Sequence, residues 1–334
     1  MHILFGINDG FVMPCGVLME SVLRTNKTEK IIFHIITNHI SEDNQQKLRT
    51  TAGTHADVNF YTVADYADLL QGFLQIGSWG ISIYFRLFAT KLLPPDVSKV
   101  LYLDADMLVT DSLTELWNTD LTDCSVAVAI NHNFDNIVRM NTLQYDRNEG
   151  YFNSGMLLIN LDYWRKNDIA EKIFDYIQKN SKILQAPDQY ALNAITAGTR
   201  KLVPFRYNMN NVRNVANMQV RREWHEMMRE SQIHPAIIHF IGVKPWHREC
   251  THPYQPLWLY VQSQTLWKYT KLRSHTPKSE TLKCGFWTIL KGIKLILISL
   301  FGQSFVERII FKKKGDSDTF YLKNAEKLLE KLRN

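Results

Sequence analysis

Leu101-Tyr-Leu-Asp104-Ala-Asp106 is the stretch on which the fold class turns. An apolar run, Val100–Leu103, ends by delivering two carboxylates with one residue between them. Continuous apolar strands, rather than alternating ones, belong to sheets covered on both faces. In extended backbone, positions i and i+2 face the same way. Asp104 and Asp106 are therefore expected to converge at the C-terminal edge of the sheet, where α/β folds keep their ligands. Two carboxylates this close repel unless a cation sits between them, and oxygen ligands suit Mg²⁺ or Mn²⁺. The competing reading is a solvated strand-to-loop turn, where Asp is common.

Working outward, short apolar runs alternate with helical ones. His2–Ile7, Ile31–Thr37, Val58–Val63, Ser125–Ile130 and Gly155–Asn160 read as further strands. Between them, Val12–Leu23 has helical spacing, and Ser41–Leu48 opens with a helix-start composition. Ile81–Leu93 reads as a helix stopped at Pro94-Pro95. Alternating strands and helices imply βα units and a mostly parallel sheet. Beyond Asn160 the chain reads as mainly helical. Leu161–Asn180 is expected to be one long amphipathic helix, Pro187–Ala197 a short one, and Ala236–Phe240 a late strand. The catalytic body is placed at residues 1–264, with a distinct C-terminal region over 265–334.

The charge supports that division. The chain of 334 residues carries 39 Lys+Arg and 33 Asp+Glu, a net charge of +6. Lys268–Asn334 holds 15 basic and 6 acidic residues, leaving 24 basic and 27 acidic before it. The body is slightly acidic, so a basic groove for nucleic acid is excluded as a reading of the whole fold. Four scattered cysteines with no C-x-x-C pair do not make a disulfide scaffold, and a reducing compartment fits them. The N-terminus lacks the basic and long apolar regions of a signal peptide. Gly285–Phe301 is strongly apolar but interrupted by Lys291 and Lys294, and Lys312-Lys313-Lys314 follows. An apolar face with a basic rim suits an anionic membrane surface. The expected location is cytoplasmic, peripheral on the inner face of the cell membrane. A helical cap packed on the body is the alternative for this tail.

A carboxylate pair after an apolar strand occurs in two chemistries. A phosphatase of the haloacid dehalogenase type needs Thr or Val two residues after the second Asp, where Leu108 stands, and a downstream Gly-Asp-x-x-x-Asp that is missing. Glycosyl transfer from a nucleotide sugar is the other. Five segments bear on the choice: Ile3–Phe11, Ser82–Leu87, Tyr151–Asn160, Pro187-Asp188-Gln189 and Ile238–His247. In this order and spacing, with the carboxylate pair, residues 1–265 resemble the family 8 retaining glycosyltransferases, and among them the bacterial lipopolysaccharide α-galactosyl- and α-glucosyltransferases.

The resemblance implies a GT-A-type, Rossmann-like mixed sheet flanked by helices. It implies a UDP-galactose or UDP-glucose donor, a glycolipid or oligosaccharide acceptor of the lipopolysaccharide core, and Mn²⁺, with Mg²⁺ as the alternative. It places Gly6, Ile7 and Asn8 at the uridine end, Phe11 on the uracil ring and Ala105 beside the nucleotide. Asp104, Asp106 and His239 would hold the metal, and Gly242 and Lys244 the diphosphate. Arg86, Asn153, Asp188 and Gln189 would surround the transferred hexose, the last three nearest the chemistry. Relatives often carry Asp at the Asn8 position and an acidic residue at the Asn131 position. The stretch from His239 to Lys244 is one residue shorter than in some of them. A nucleotide-sugar-binding protein without turnover is the non-enzyme alternative, although no candidate metal ligand is missing.

Overall fold

The computed structural model describes residues 1–71, 73, 80–143, 145–181, 184, 186–210, 218–274 and 316–333. The apolar tail runs 285–301 and the Lys312–Lys314 cluster lie outside the described residues. The chain divides into two compact units, Met1–His239 and Phe240–Asn334.

Among the described residues, the first unit has nine strands: β1 (His2–Gly6), β2 (Ile31–Thr37), β3 (Ala56–Thr62), β4 (Lys99–Leu103), β5 (Met107–Val109), β6 (Val126–Ala129), β7 (Met156–Asn160), β8 (Arg200–Val203) and β9 (Ile237–His239). Seven of them form one sheet in the order β3-β2-β1-β4-β7-β6-β8. β3, β2, β1 and β4 run parallel, whereas β7 lies antiparallel to both β4 and β6. The sheet is therefore mixed, because the chain crosses it in the opposite sense at β7. Every residue of β4 except Lys99, and every residue of β7 except Asn160, is buried. The core includes Tyr84, Phe85 and Phe88 together with Trp164, Ile173 and Phe174. These side chains explain why the central strands carry no polar alternation.

The reversed β7 matters for position. Its first residue, Met156, stands opposite Leu103, the last residue of β4. The segment Asn153-Ser154-Gly155 before β7 thus meets Asp104 after β4, and Asp104 N–H donates to the Gly155 carbonyl at 2.8 Å. The end of β1 reaches the same edge, since β1 and β4 are parallel neighbours with Leu4 opposite Tyr102. Gly6 lets the segment Ile81–Phe88 approach there. A Cβ at Gly6 would lie 3.0 Å from the Phe85 Cβ.

Four local expectations change. Asp104 and Asp106 do not lie in one extended strand. Met107 N–H bonds back to the Asp104 carbonyl at 3.2 Å, so the pair occupies a tight turn between β4 and β5. Ile81–Leu93 begins as a 3₁₀ helix, Ile81–Phe88, before a short α-helix, Ala89–Leu92. Leu161–Asn180 is two helices, Leu161–Lys166 and Ile169–Asn180. Asn167 closes the first by donating from its side chain to the Tyr163 carbonyl at 2.9 Å, and Asp168 takes a left-handed φ of 52°. Short polar residues tolerate that conformation and compete with the helix through local hydrogen bonds. β5 and β8 are additional strands, the first only three residues long and the second opening on Arg200-Lys201.

In the second unit, the helix Gln255–Ser263 buries Leu257, Trp258 and Val261. The helix Asp316–Arg333 buries Ala325, Leu328 and Leu332, and the Arg333 guanidinium lies 5.8 Å from the Tyr260 ring centre. That end of the tail packs within its own unit. Among the described residues, no helix is long and apolar enough to cross a membrane.

Candidate active site at the sheet edge

The short strand β5 positions the site. β5 pairs antiparallel with β9, Met107 opposite His239, which sets the imidazole beside the Asp104–Asp106 turn. His239 Nε2 lies 3.3 Å from Asp106 Oδ1 and 3.8 Å from Asp104 Oδ2. One ligand atom from each of the three lies within 4.8 Å of the others, and no other such group of His, Cys, Asp or Glu occurs among the described residues. Gly155 makes the room. A Cβ there would stand 2.4 Å from His239 Cε1 and 2.8 Å from Nδ1.

The donor set fits a divalent cation. Two carboxylates and one imidazole nitrogen suit Mn²⁺ or Mg²⁺ with further oxygens from a ligand. Both carboxylates are partly or largely withdrawn from water, so their mutual repulsion is weakly screened.

Behind the carboxylates sits Arg86, buried on the 3₁₀ helix. Its Nη2 donates to Asp104 Oδ1 at 3.0 Å, its Nη1 to the Ser154 carbonyl, and its Nε lies 3.6 Å from Asp188 Oδ2. Tyr102 also donates to Asp104 Oδ1, at 2.7 Å, with its ring 4.2 Å from the guanidinium carbon. Asp104 Oδ1 is thus held by two donors while Oδ2 faces His239. Burial lowers the Arg86 pKa, but Asp104, Tyr102 and Asp188 outweigh it and the pKa is raised, so the guanidinium stays charged. Burial raises the pKa of Asp188, and the Arg86 charge opposes that rise. Asp188 opens the helix Pro187–Ile195 and accepts from Ser154 Oγ at 3.3 Å.

Next to it, Gln189 Oε1 accepts from Asn153 Nδ2 at 3.0 Å and from Ser154 N–H at 3.1 Å. Gln189 Nε2 donates to the Tyr151 hydroxyl. The structure therefore brings Arg86, Asp104, Asp106, Asn153, Asp188, Gln189 and His239 into one contact network, with Ala105 in the turn between the carboxylates.

Gly6 and Ile7 end and follow β1 at the same edge. The Asn8 side chain caps the next turn by accepting from Gly10 N–H at 3.0 Å. Phe11 closes that turn with 38% of its surface exposed. Gly242 and Lys244 belong to the second unit, where Gly242 has a φ of 82° and Lys244 Nζ donates to the Phe240 carbonyl at 3.2 Å.

Three residues of the network carried no sequence signal of their own. Tyr102 is one aromatic within the apolar run of β4. Tyr151 opens the Tyr151–Asn160 motif, where nothing in the sequence gives it a role. Asn208, whose side chain meets His239 Nδ1 and Asn153 Oδ1, each at 2.9 Å, follows β8, an edge strand hidden by its polar start.

The family model described as glycosyl transferase family 8 matches residues 2–250. The lipopolysaccharide 1,2-glucosyltransferase of Escherichia coli is 27% identical over 284 residues, 84% of this chain and 83% of that one. The lipopolysaccharide 1,3-galactosyltransferase of Salmonella typhimurium is 25% identical over 291 residues, 81% of this chain and 80% of that one. Among solved structures, the galactosyltransferase LgtC in complex with donor and acceptor sugar analogs superimposes with a TM-score of 0.70 at 28% identity. That match covers 85% of this chain and 100% of LgtC.

Proposed function

The chain belongs to glycosyl transferase family 8, and from that premise we propose that it is a metal-dependent retaining hexosyltransferase. It moves galactose or glucose from a UDP-sugar to a lipopolysaccharide or lipooligosaccharide core acceptor, with an α linkage. The observation that carries the reading is the Asp104–Asp106–His239 cluster at the sheet edge, flanked by Arg86, Asp188 and the Asn153–Gln189 amides. The acceptor class follows two relatives named as lipopolysaccharide glucosyl- and galactosyltransferases. The family match sets aside the phosphatase reading of the carboxylate pair.

Asp104, Asp106 and His239 would hold Mn²⁺ or Mg²⁺, which supplies positive charge to a diphosphate leaving group. Gly6, Ile7, Asn8, Phe11 and Ala105 would take the nucleoside, and Gly242 and Lys244 the diphosphate. Arg86 orients Asp104 and Asp188 with a fixed fork of donors. Double displacement would require a carboxylate to attack the anomeric carbon. Asp188 is instead buried and engaged by Arg86, Ser154 Oγ and the Gln189 backbone. Gln189 offers an amide whose oxygen already accepts two hydrogen bonds. The reading is therefore front-face displacement, in which the acceptor hydroxyl attacks as the C–O bond to the diphosphate breaks, and the departing phosphate takes its proton. We place the protein in the cytoplasm, with its basic C-terminal region against the inner face of the membrane.

The test is a donor panel: UDP-sugar hydrolysis and transfer with and without Mn²⁺, for wild type and Asp106→Ala. Mn²⁺-dependent turnover of UDP-galactose or UDP-glucose, abolished in the variant, is the expected result. Metal-independent turnover, or full activity in Asp106→Ala, would overturn the assignment. A glycosyl adduct on Asp188 detected by mass spectrometry would overturn the front-face mechanism alone.

A further inference from the structure

Asn208 is buried and stands between the metal ligand His239 and the amide pair beside it. Its Oδ1 lies 2.9 Å from His239 Nδ1. Its Nδ2 lies 2.9 Å from Asn153 Oδ1 and 3.2 Å from the Asn153 carbonyl. Asn153 Nδ2 then continues to Gln189 Oε1 at 3.0 Å.

The direction of this chain follows from its backbone members. Gly155 N–H donates to Asn153 Oδ1 at 3.1 Å, and Ser154 N–H donates to Gln189 Oε1 at 3.1 Å. A backbone N–H can only donate, so both of those side-chain atoms are oxygens, and neither amide can be turned over. The Asn208 atom facing the two Asn153 oxygens must then be the NH₂ group, and its oxygen faces His239. An amide oxygen only accepts, so His239 Nδ1 must carry the proton. In the neutral imidazole the lone pair is then left on Nε2, the nitrogen that faces Asp104 and Asp106. The opposite tautomer would require Asn208 to flip, setting its oxygen against both Asn153 oxygens in a buried site. Leaving buried polar groups unpaired in this way is strongly unfavourable.

We propose that Asn208 is a positioning residue that holds His239 in the Nδ1-protonated tautomer and couples the metal centre to the Asn153–Gln189 amides. Its metal-binding consequence rests on the reading of Asp104, Asp106 and His239 as a divalent-cation site. Partners of this kind behind a ligating histidine typically contribute 10–100-fold to metal affinity.

Two measurements on the full chain test it. The first is metal-free NMR of ¹⁵N-histidine-labelled protein, with the His239 signal assigned by its loss in His239→Ala. Wild type should show the Nδ1–H tautomer, and Asn208→Ala should shift His239 toward Nε2–H. The second is Mn²⁺ binding by electron paramagnetic resonance, without donor sugar. Asn208→Ala should bind Mn²⁺ about 10–100-fold more weakly in a protein that unfolds cooperatively in urea at a lowered midpoint. Nε2–H in wild type overturns the proposal even if the variant does not fold. So does unchanged Mn²⁺ affinity in a folded Asn208→Ala. Wild type that binds no Mn²⁺ overturns the cation reading instead, while the tautomer measurement still decides the role of Asn208.

Discussion

Tyr102 donates its buried hydroxyl to Asp104 Oδ1 at 2.7 Å, the same oxygen that Arg86 holds from the other side at 3.0 Å. The carboxylate is thereby turned so that Oδ2, not Oδ1, meets His239. Burial raises the Tyr102 pKa well above the ordinary value, so the hydroxyl keeps its proton throughout the working pH range. Tyr102→Phe keeps the ring against Arg86 and removes only this bond. A hydrogen bond to a charged group contributes about 1.5–3 kcal/mol. We expect Mn²⁺ affinity to fall about tenfold in a titration of a protein that still folds, with a lowered urea midpoint.

Gly155→Ala tests the room left for the imidazole. The added Cβ would lie 2.8 Å from Nδ1 and 2.8 Å from Met107 Cε, so His239 and β5 must shift. Overpacking of this kind costs about 1–3 kcal/mol. Loss of most Mn²⁺ binding and transferase activity in a folded protein is expected. Wild-type Mn²⁺ affinity would show that His239 is not held where β5 and β9 place it.

Arg86→Met removes the cation between two carboxylates. Taking one partner from a buried pair costs about 3–5 kcal/mol, because the remaining charge is left uncompensated. The sign of the pH effect follows from Asp188. Its folded pKa is already raised by burial, and Arg86 opposes that rise. Without Arg86 the carboxyl binds its proton more tightly in the folded state than in the unfolded one. Stability is then fuller at acid pH and is lost as pH rises from the unfolded to the folded pKa. Urea midpoints should fall more between pH 4 and neutrality for Arg86→Met than for wild type.

His34 gives the opposite slope. It lies in a stacked row on the sheet, 2.9 Å from His2 through one ring nitrogen and 2.9 Å from the Tyr61 hydroxyl through the other. Burial, aided by His2, pushes its pKa down to about 4 from the ordinary 6.5. The unfolded chain takes up a proton there first, so stability declines as pH falls from 6.5 toward 4. His34→Gln should flatten that part of the profile, measured by urea unfolding at pH 7 and pH 5. His2, whose pKa is also lowered by burial and by the N-terminus, accounts for part of the slope that remains.

The membrane reading of the C-terminal region is tested without cutting the chain, because the helix Asp316–Arg333 packs within its own unit. A basic residue near an anionic leaflet contributes about 1 kcal/mol. Changing Lys312, Lys313 and Lys314 to Ala should lower sedimentation with anionic vesicles by about a hundredfold in affinity. Unchanged binding would remove the lipid-facing role of this cluster.

Much of the fold was legible locally. The runs at His2, Ile31 and Val100 name strands because unbroken apolar stretches demand cover on both faces. The carboxylate pair was legible for the same reason, standing where the apolar run stops. The direction of β7 was not, because an apolar strand has the same composition either way up. Nor were β5 and β8, the one too short for a period and the other polar at its start.

By itself, the sequence determined the chemical inventory: the sheet-forming runs, the acidic pair, the basic tail and a family-like order of motifs. Those are properties of neighbours along the chain, and side-chain period and charge express them directly. Tertiary structure alone decided how the inventory works. The β5–β9 pairing set His239 beside Asp106, reversal of β7 set Gly155 beneath its ring, and the turn after β8 set Asn208 behind its other nitrogen. Each of these joins segments far apart in sequence. Only the register of hydrogen-bonded strands determines which of their polar atoms meet.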